Sequence, residues 1–260
     1  MFGSIEPVCF NHGATLFMTT GNGSSEDFKR AMVVTAHPDD AEYGCSGSVA
    51  KWCRLGWDVV YVLCTDGSKG SEDREITGER LTEIRTEEQI NAGKTLGLKS
   101  VEFLGYPDGY LEPTLDLRRD ISREIRKWKP DVLITVNPTR DLMGSGYIGH
   151  PDHFAAGEAA LSAVFPSARD HLTFPELYTD EGLEPHKVRE VWVMSFGDNA
   201  DFWNPLTEED VDTSIAALQQ HVSQVSNPEE SAKWMKQRRM DLGKKIGADY
   251  AESFKKFTLG

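Results

Sequence analysis

The sequence predicts a Rossmann-like, doubly wound α/β fold: a mostly parallel sheet, helices on both faces and extra C-terminal helices. Three observations carry this. Between residues 31 and 136, short apolar runs rich in β-branched residues alternate with amphipathic stretches, giving β-α-β-α-β-α-β. Two of those runs end abruptly in polar clusters, Ala36-His37-Pro38-Asp39-Asp40-Ala41-Glu42 and Thr65-Asp66-Gly67, as strands do when they deliver side chains to the ligand-binding edge of an open sheet. A length of 260 residues suits one large domain.

Ala31-Met32-Val33-Val34-Thr35 reads as the first buried strand, and a helix follows over 44–55, with Val49, Trp52 and Cys53 at helical spacing and Gly56 as its stop. Residues 58–64 form the second strand, completing a right-handed crossover unit. Gly67-Ser68-Lys69-Gly70-Ser71 has neither P-loop order nor a GxGxxG after the first strand, so it reads as a flexible loop. A charged helix spans 78–96 and stops at Gly97; Arg85 and Glu88 lie i, i+3 on it, which by spacing alone is a surface pair. Strand three covers 100–105, a helix 115–128, and Lys129-Pro130 breaks the chain before strand four at 131–136.

The loop 137–149 is long and glycine-containing, so it is expected to rim a pocket; Arg140 within it either pairs structurally or offers a cation to substrate. An alanine-rich helix at 152–165, a fifth strand at 190–196 and helices at 207–225 and 228–245 complete the chain, the last two packing on the sheet or on another copy in a homo-oligomer. Residues 1–30, with scattered Gly and Ser, are expected to be a peripheral extension to a domain at 31–260.

Composition narrows the function. A net charge of −14 opposes nucleic acid, whose binding draws on clustered Lys and Arg. The apolar runs are too short to span a bilayer, so no membrane partner is expected. Cys9, Cys45, Cys53 and Cys64 show no CxxC spacing and read as reduced; with no signal-like N-terminus, a cytoplasmic location is expected.

The chemistry lies in two clusters, His37-Pro38-Asp39-Asp40 and His150-Pro151-Asp152-His153. His and Asp beside Pro often make only turns and helix caps. Two clusters of matched chemistry, each after a strand, instead suit one borderline metal such as zinc. If strands one and four are neighbours at the topological switch point, the clusters meet.

These paired motifs resemble the LmbE-like, or PIG-L, family of zinc-dependent N-acetylglucosaminyl deacetylases and related amidases, with further matches at Thr65-Asp66-Gly67, Arg85, Glu88, Asp108-Gly109 and His221-Val222-Ser223-Gln224. The resemblance implies one Zn2+ per chain on His37, Asp40 and His153, and Asp39 as general base. It implies that His150 stabilises the oxyanion and protonates the leaving amine, with Asp152 orienting its ring. Arg85 and Asp108 are implied at the sugar and His221 near the site; the substrate would be a small N-acetylated sugar or conjugate. Some relatives place a tyrosine where this chain has Ile148; Tyr147 is adjacent. An amidase acting on a non-sugar or thiol-conjugate amide is the near alternative. A metallophosphoesterase needs more ligands than these motifs supply, and a nucleotide-binding module should show glycines where His37-Pro38 stands.

Overall fold

A computed structural model describes residues 28–142, 146–195 and 199–260. Most of the expected N-terminal extension, with Cys9 and His12, lies outside the described residues. Its last residues belong to the domain: Phe28 is buried in the core and Arg30 opens the first strand.

In chain order the elements are β1 (Arg30–Thr35), α1 (Asp40–Gly44), α2 (Ser46–Arg54), β2 (Asp58–Thr65), α3 (Gly78–Leu96), β3 (Ser100–Tyr106), α4 (Leu115–Trp128), β4 (Val132–Thr135), α5 (Pro151–Ser162), α6 (Glu176–Thr179), β5 (Glu190–Met194), β6 (Phe202–Leu206), α7 (Glu208–Leu218), α8 (Pro228–Lys244) and β7 (Tyr250–Thr258). They form one sheet in the order β3-β2-β1-β4-β5-β7-β6. β1 to β5 run parallel, and β7 is antiparallel to both β5 and β6. The doubly wound fold is therefore present, with β1 and β4 side by side; Val33 faces Ile134 in register. β4 and β5 are buried throughout, as strands covered by helices on both faces must be.

Several boundaries differ from the sequence expectation. The first helix starts at Asp40 rather than Gly44 and is interrupted at Cys45, giving α1 and α2. The alanine-rich helix ends at Ser162 because Phe165 takes an extended conformation ahead of Pro166. β5 ends at Met194, and Phe196 lies outside the described residues. The helix expected over 207–225 stops at Leu218.

Strands β6 and β7 were not expected at all. β7 lacks the alternation of apolar and polar residues, since Glu252-Ser253 and Lys255-Lys256 stand in succession, and its buried Glu252 gains partners only from remote segments. That carboxylate accepts hydrogen bonds from Gly47 N (2.9 Å) and Ser48 N (2.7 Å) at the start of α2, and from Arg239 of α8 at 3.0 and 2.7 Å. An anion on these amide groups caps the helix from across the fold. Gly47 is required there, since a Cβ would lie 2.5 Å from Leu206 Cδ1 and 2.9 Å from Glu252 Oε1.

Candidate active site

Helix α1 begins where β1 ends, and Asp40 makes the turn. Its Oδ2 accepts from Ala36 N (3.1 Å) and His37 N (2.9 Å), folding the segment back on itself. The residue before it, Asp39, has φ 95, a left-handed conformation costly for a residue with a Cβ. This strained turn separates the two adjacent carboxylates. Asp40 meets His153, with Oδ1 2.9 Å from Nε2; Asp39 Oδ1 lies 3.9 Å from Arg85 Nη2, and its backbone N–H donates to Gln89 Oε1.

The second cluster arrives on α5. His150 is its N-cap, Pro151 occupies the first turn without a wasted donor, and His153 follows on the same turn. His37 Nδ1 then lies 3.3 Å from His153 Nε2 and 3.6 Å from Asp40 Oδ2. Three donors of one tetrahedral ion held at about 2.0–2.1 Å sit roughly 3.3 Å apart; the two ring nitrogens stand 3.3 Å apart, and Asp40 approaches them with different oxygens, Oδ1 2.9 Å from His153 Nε2 and Oδ2 3.6 Å from His37 Nδ1. The other ring nitrogen of His37 faces two buried carboxylates, Asp108 Oδ1 at 3.1 Å and Asp152 Oδ2 at 3.2 Å. A carboxylate on one imidazole nitrogen holds the proton there and leaves the opposite lone pair for a metal.

Electrostatics follow from this crowding. Burial works against charge on His37, yet Asp108, Asp152 and Asp40 push its pKa up to about 12. Burial also opposes ionisation of Asp40, but the His153 and His37 rings hold its carboxyl well below the ordinary range. Burial, reinforced by the neighbouring Asp40 charge, raises the pKa of Asp39. Such opposed shifts in adjacent acids mark a candidate ligand and a candidate base. Two groupings of possible metal donors, neither of which includes Asp40, share His37: one with His150 and His153, the other with Asp108 and Asp152. Within them, His150 Nδ1 accepts from Asp152 N at 3.2 Å, and Asp108 and Asp152 accept main-chain N–H groups, as Asp40 does.

The surroundings of the other expected residues are as follows. Asp152 does not orient His150: its carboxylate is 4.0 Å from His150 Nδ1 and is committed to His37, Gly109 N and Leu111 N. His150 is set instead by the backbone N–H of Asp152, and burial pulls its pKa below the usual imidazole value. Arg85, implied by the resemblance at the sugar, and Glu88 are 4% and 8% exposed, so the surface pair that spacing alone suggests is not what forms. The Arg85 guanidinium donates to Pro38 O (2.8 Å), Lys69 O (3.0 Å) and Gly67 O (3.2 Å), tying together the loops after β1 and β2, while Glu88 accepts from Ser223 N and Oγ. His221 is fully buried, 3.5 Å from Glu42, and near enough to Asp39 for their charges to interact. Arg140 folds its own loop, donating to Ile148 O and lying 4.6 Å over the Phe154 ring.

Asp40 and His153 open onto a cavity of about 590 Å³. Its walls include the expected rim loop, with Tyr147 and Ile148, and also Tyr43, Trp234 and Arg238, which sequence reasoning missed. Tyr43, three residues after Asp40, shares its helix face and was findable from helical period. Trp234 and Arg238 lie on α8 and carried no local signal.

Fold and site together define a doubly wound α/β protein with a His–carboxylate cluster at the carboxyl edge of its sheet, where β1 and β4 adjoin. The sequence profile of the PIG-L family, GlcNAc-PI de-N-acetylase, matches residues 32–164, and the chain belongs to that family. The diacetylchitobiose deacetylase of Thermococcus kodakarensis is 34% identical over 170 residues, which cover 65% of this chain and 61% of that protein. A probable N-acetyl-alpha-D-glucosaminyl L-malate deacetylase 2 of Bacillus anthracis is 29% identical over 207 residues, covering 75% and 81%. The chain thus spans less than two thirds of the length of the first of these relatives. In structure, the N,N'-diacetylchitobiose deacetylase of Pyrococcus horikoshii superposes with a TM-score of 0.80 at 26% identity, covering 90% of this chain and 85% of the other.

Proposed function

We propose that this chain is a zinc-dependent N-deacetylase that hydrolyses the acetamide of an N-acetylated amino sugar or sugar conjugate. The observation that carries the reading is the convergence of His37 Nδ1, Asp40 and His153 Nε2 with carboxylates behind His37 Nε2. His37, Asp40 and His153 would hold one zinc ion, and the donor set of two imidazoles and a carboxylate suits that metal. Bound there, zinc supplies Lewis acidity toward the amide carbonyl and toward water.

The remaining roles belong to the chain. Asp39, held off the donor triangle by its left-handed backbone, accepts the proton of the attacking water. His150, whose Nδ1 lone pair is taken by Asp152 N, presents Nε2 with its proton, suited to the developing oxyanion and then to the leaving amine. Asp152 and Asp108 hold the His37 ring, and Arg85 ties the loop that carries Asp39 to the loop after β2. The relatives named for deacetylation of GlcNAc-containing compounds support the choice of an amino-sugar amide. A cytoplasmic location agrees with the free thiols of Cys45, Cys53 and Cys64. Among the described residues, no helix is long and apolar enough to cross a membrane.

The test is elemental analysis of the purified protein combined with amine release from a panel of N-acetylated sugars. Near-stoichiometric zinc, amine release, and loss of both on chelation are expected. A protein that binds zinc but releases amine from none of the sugars would refute the substrate class.

A further inference from the structure

The wall of the cavity contributed by α8 carries an indole that no packing role accounts for. Trp234 is 47% exposed, whereas its neighbour Met235 on the same helix is fully buried. It is braced rather than loose: Tyr43, on the helix that begins with Asp40, meets it edge-on at 6.1 Å between centroids and 69°. The Arg238 guanidinium lies 5.8 Å over its ring. Trp234, Tyr43, Asp40 and His153 line the same cavity, and so do the polar side chains of Asn137 and Thr139.

An indole fixed in position beside amide and hydroxyl groups suits a pyranose. The C–H face of the ring packs on the aromatic plane, and the equatorial hydroxyls need polar partners at the edge. The volume leaves room for more than one ring: about 590 Å³ lies within the roughly 300–1,000 Å³ that encloses drug-sized ligands. An anionic second group is less well served. The cation on this wall, Arg238, already donates to Ser195 O at 3.4 Å and has further partners.

We propose that Trp234 is the platform for a second sugar ring, so that the chain prefers N-acetylated disaccharides and longer oligosaccharides to the monosaccharide. The proposal rests on the deacetylase reading. With the acetamide at Asp40 and His153, the neighbouring ring extends toward α8 and lies on the indole.

The test compares kcat/KM for N-acetylglucosamine and N,N'-diacetylchitobiose in the zinc-loaded chain, in Trp234→Ala and Trp234→Leu, with Trp234→Phe as the variant that keeps a flat face. Wild type is expected to favour the disaccharide. The disaccharide-to-monosaccharide ratio should fall about tenfold in the Ala and Leu variants, mainly through KM, and be largely retained in Phe. A ratio unchanged in both Ala and Leu variants overturns the platform while leaving deacetylation standing. Wild type that turns over neither sugar, or that favours the monosaccharide, overturns the platform; only if it also releases amine from no other N-acetylated sugar of the panel does the deacetylase reading fall with it. Leu is a conservative change on a half-exposed helix position, so it tests the ratio even if the Ala variant fails to fold.

Discussion

His37 Nε2 lies 3.2 Å from Asp152 Oδ2, and Asp152 is fully buried with two main-chain N–H groups also directed at its carboxylate. The acid in the second His motif therefore serves the histidine of the first motif, not the one two residues before it. Asp152→Asn should weaken zinc affinity about 10–100-fold, the usual effect of losing a carboxylate behind a metal-binding imidazole. Competition with a chelator measures this. Unchanged affinity with a shifted pH profile would return Asp152 to His150.

Asp39 and Asp40 should separate by metal content. Asp39→Asn is expected to keep zinc and lose roughly 10²–10⁴-fold in rate, because an amide cannot take the proton of water. Asp40→Asn should lose zinc, and also the turn its Oδ2 makes to Ala36 N and His37 N. Zinc per chain, measured beside the rate for each variant, decides; the opposite pattern would exchange the two roles.

Arg85 donates to three main-chain carbonyls. Removing it leaves three main-chain carbonyls without their donor, so Arg85→Ala should cost about 3 kcal/mol of stability together with activity. Arg85→Lys should recover only part, since an ammonium lacks the planar fork that reaches several carbonyls at once. Denaturant unfolding is the measurement, and a variant as stable as wild type but poor in KM would show that Arg85 contacts substrate instead.

Gly157 sets how closely α5 approaches the end of β4. A Cβ there would lie 2.5 Å from Val136 O and 3.0 Å from Pro138 N, both backbone atoms with little room to yield. Gly157→Ala should destabilise by about 2 kcal/mol and disturb the loop that rims the cavity. Stability within error of wild type would mean that the helix can shift outward at no cost.

What the sequence determined by itself was local in origin. β1, β2, β4 and β5 are written in β-branched runs because strands covered on both faces demand continuous apolar residues. The two His motifs stand out because they end or follow such runs, and parallel winding brings them together without further information. Tertiary structure decided the rest. β7 reads poorly as a strand because Glu252 becomes tolerable in the sheet only when Gly47, Ser48 and Arg239 arrive to satisfy it. The spacing of Arg85 and Glu88 suggests a surface pair, yet the loops after β1 and β2 and the turn at Ser223 close over them. Asp152 could have served either histidine, and Trp234 gained its place only when α8 came to lie beside α1. In each case a polar or aromatic side chain takes its role from partners remote in sequence, whereas an apolar run needs only to be buried.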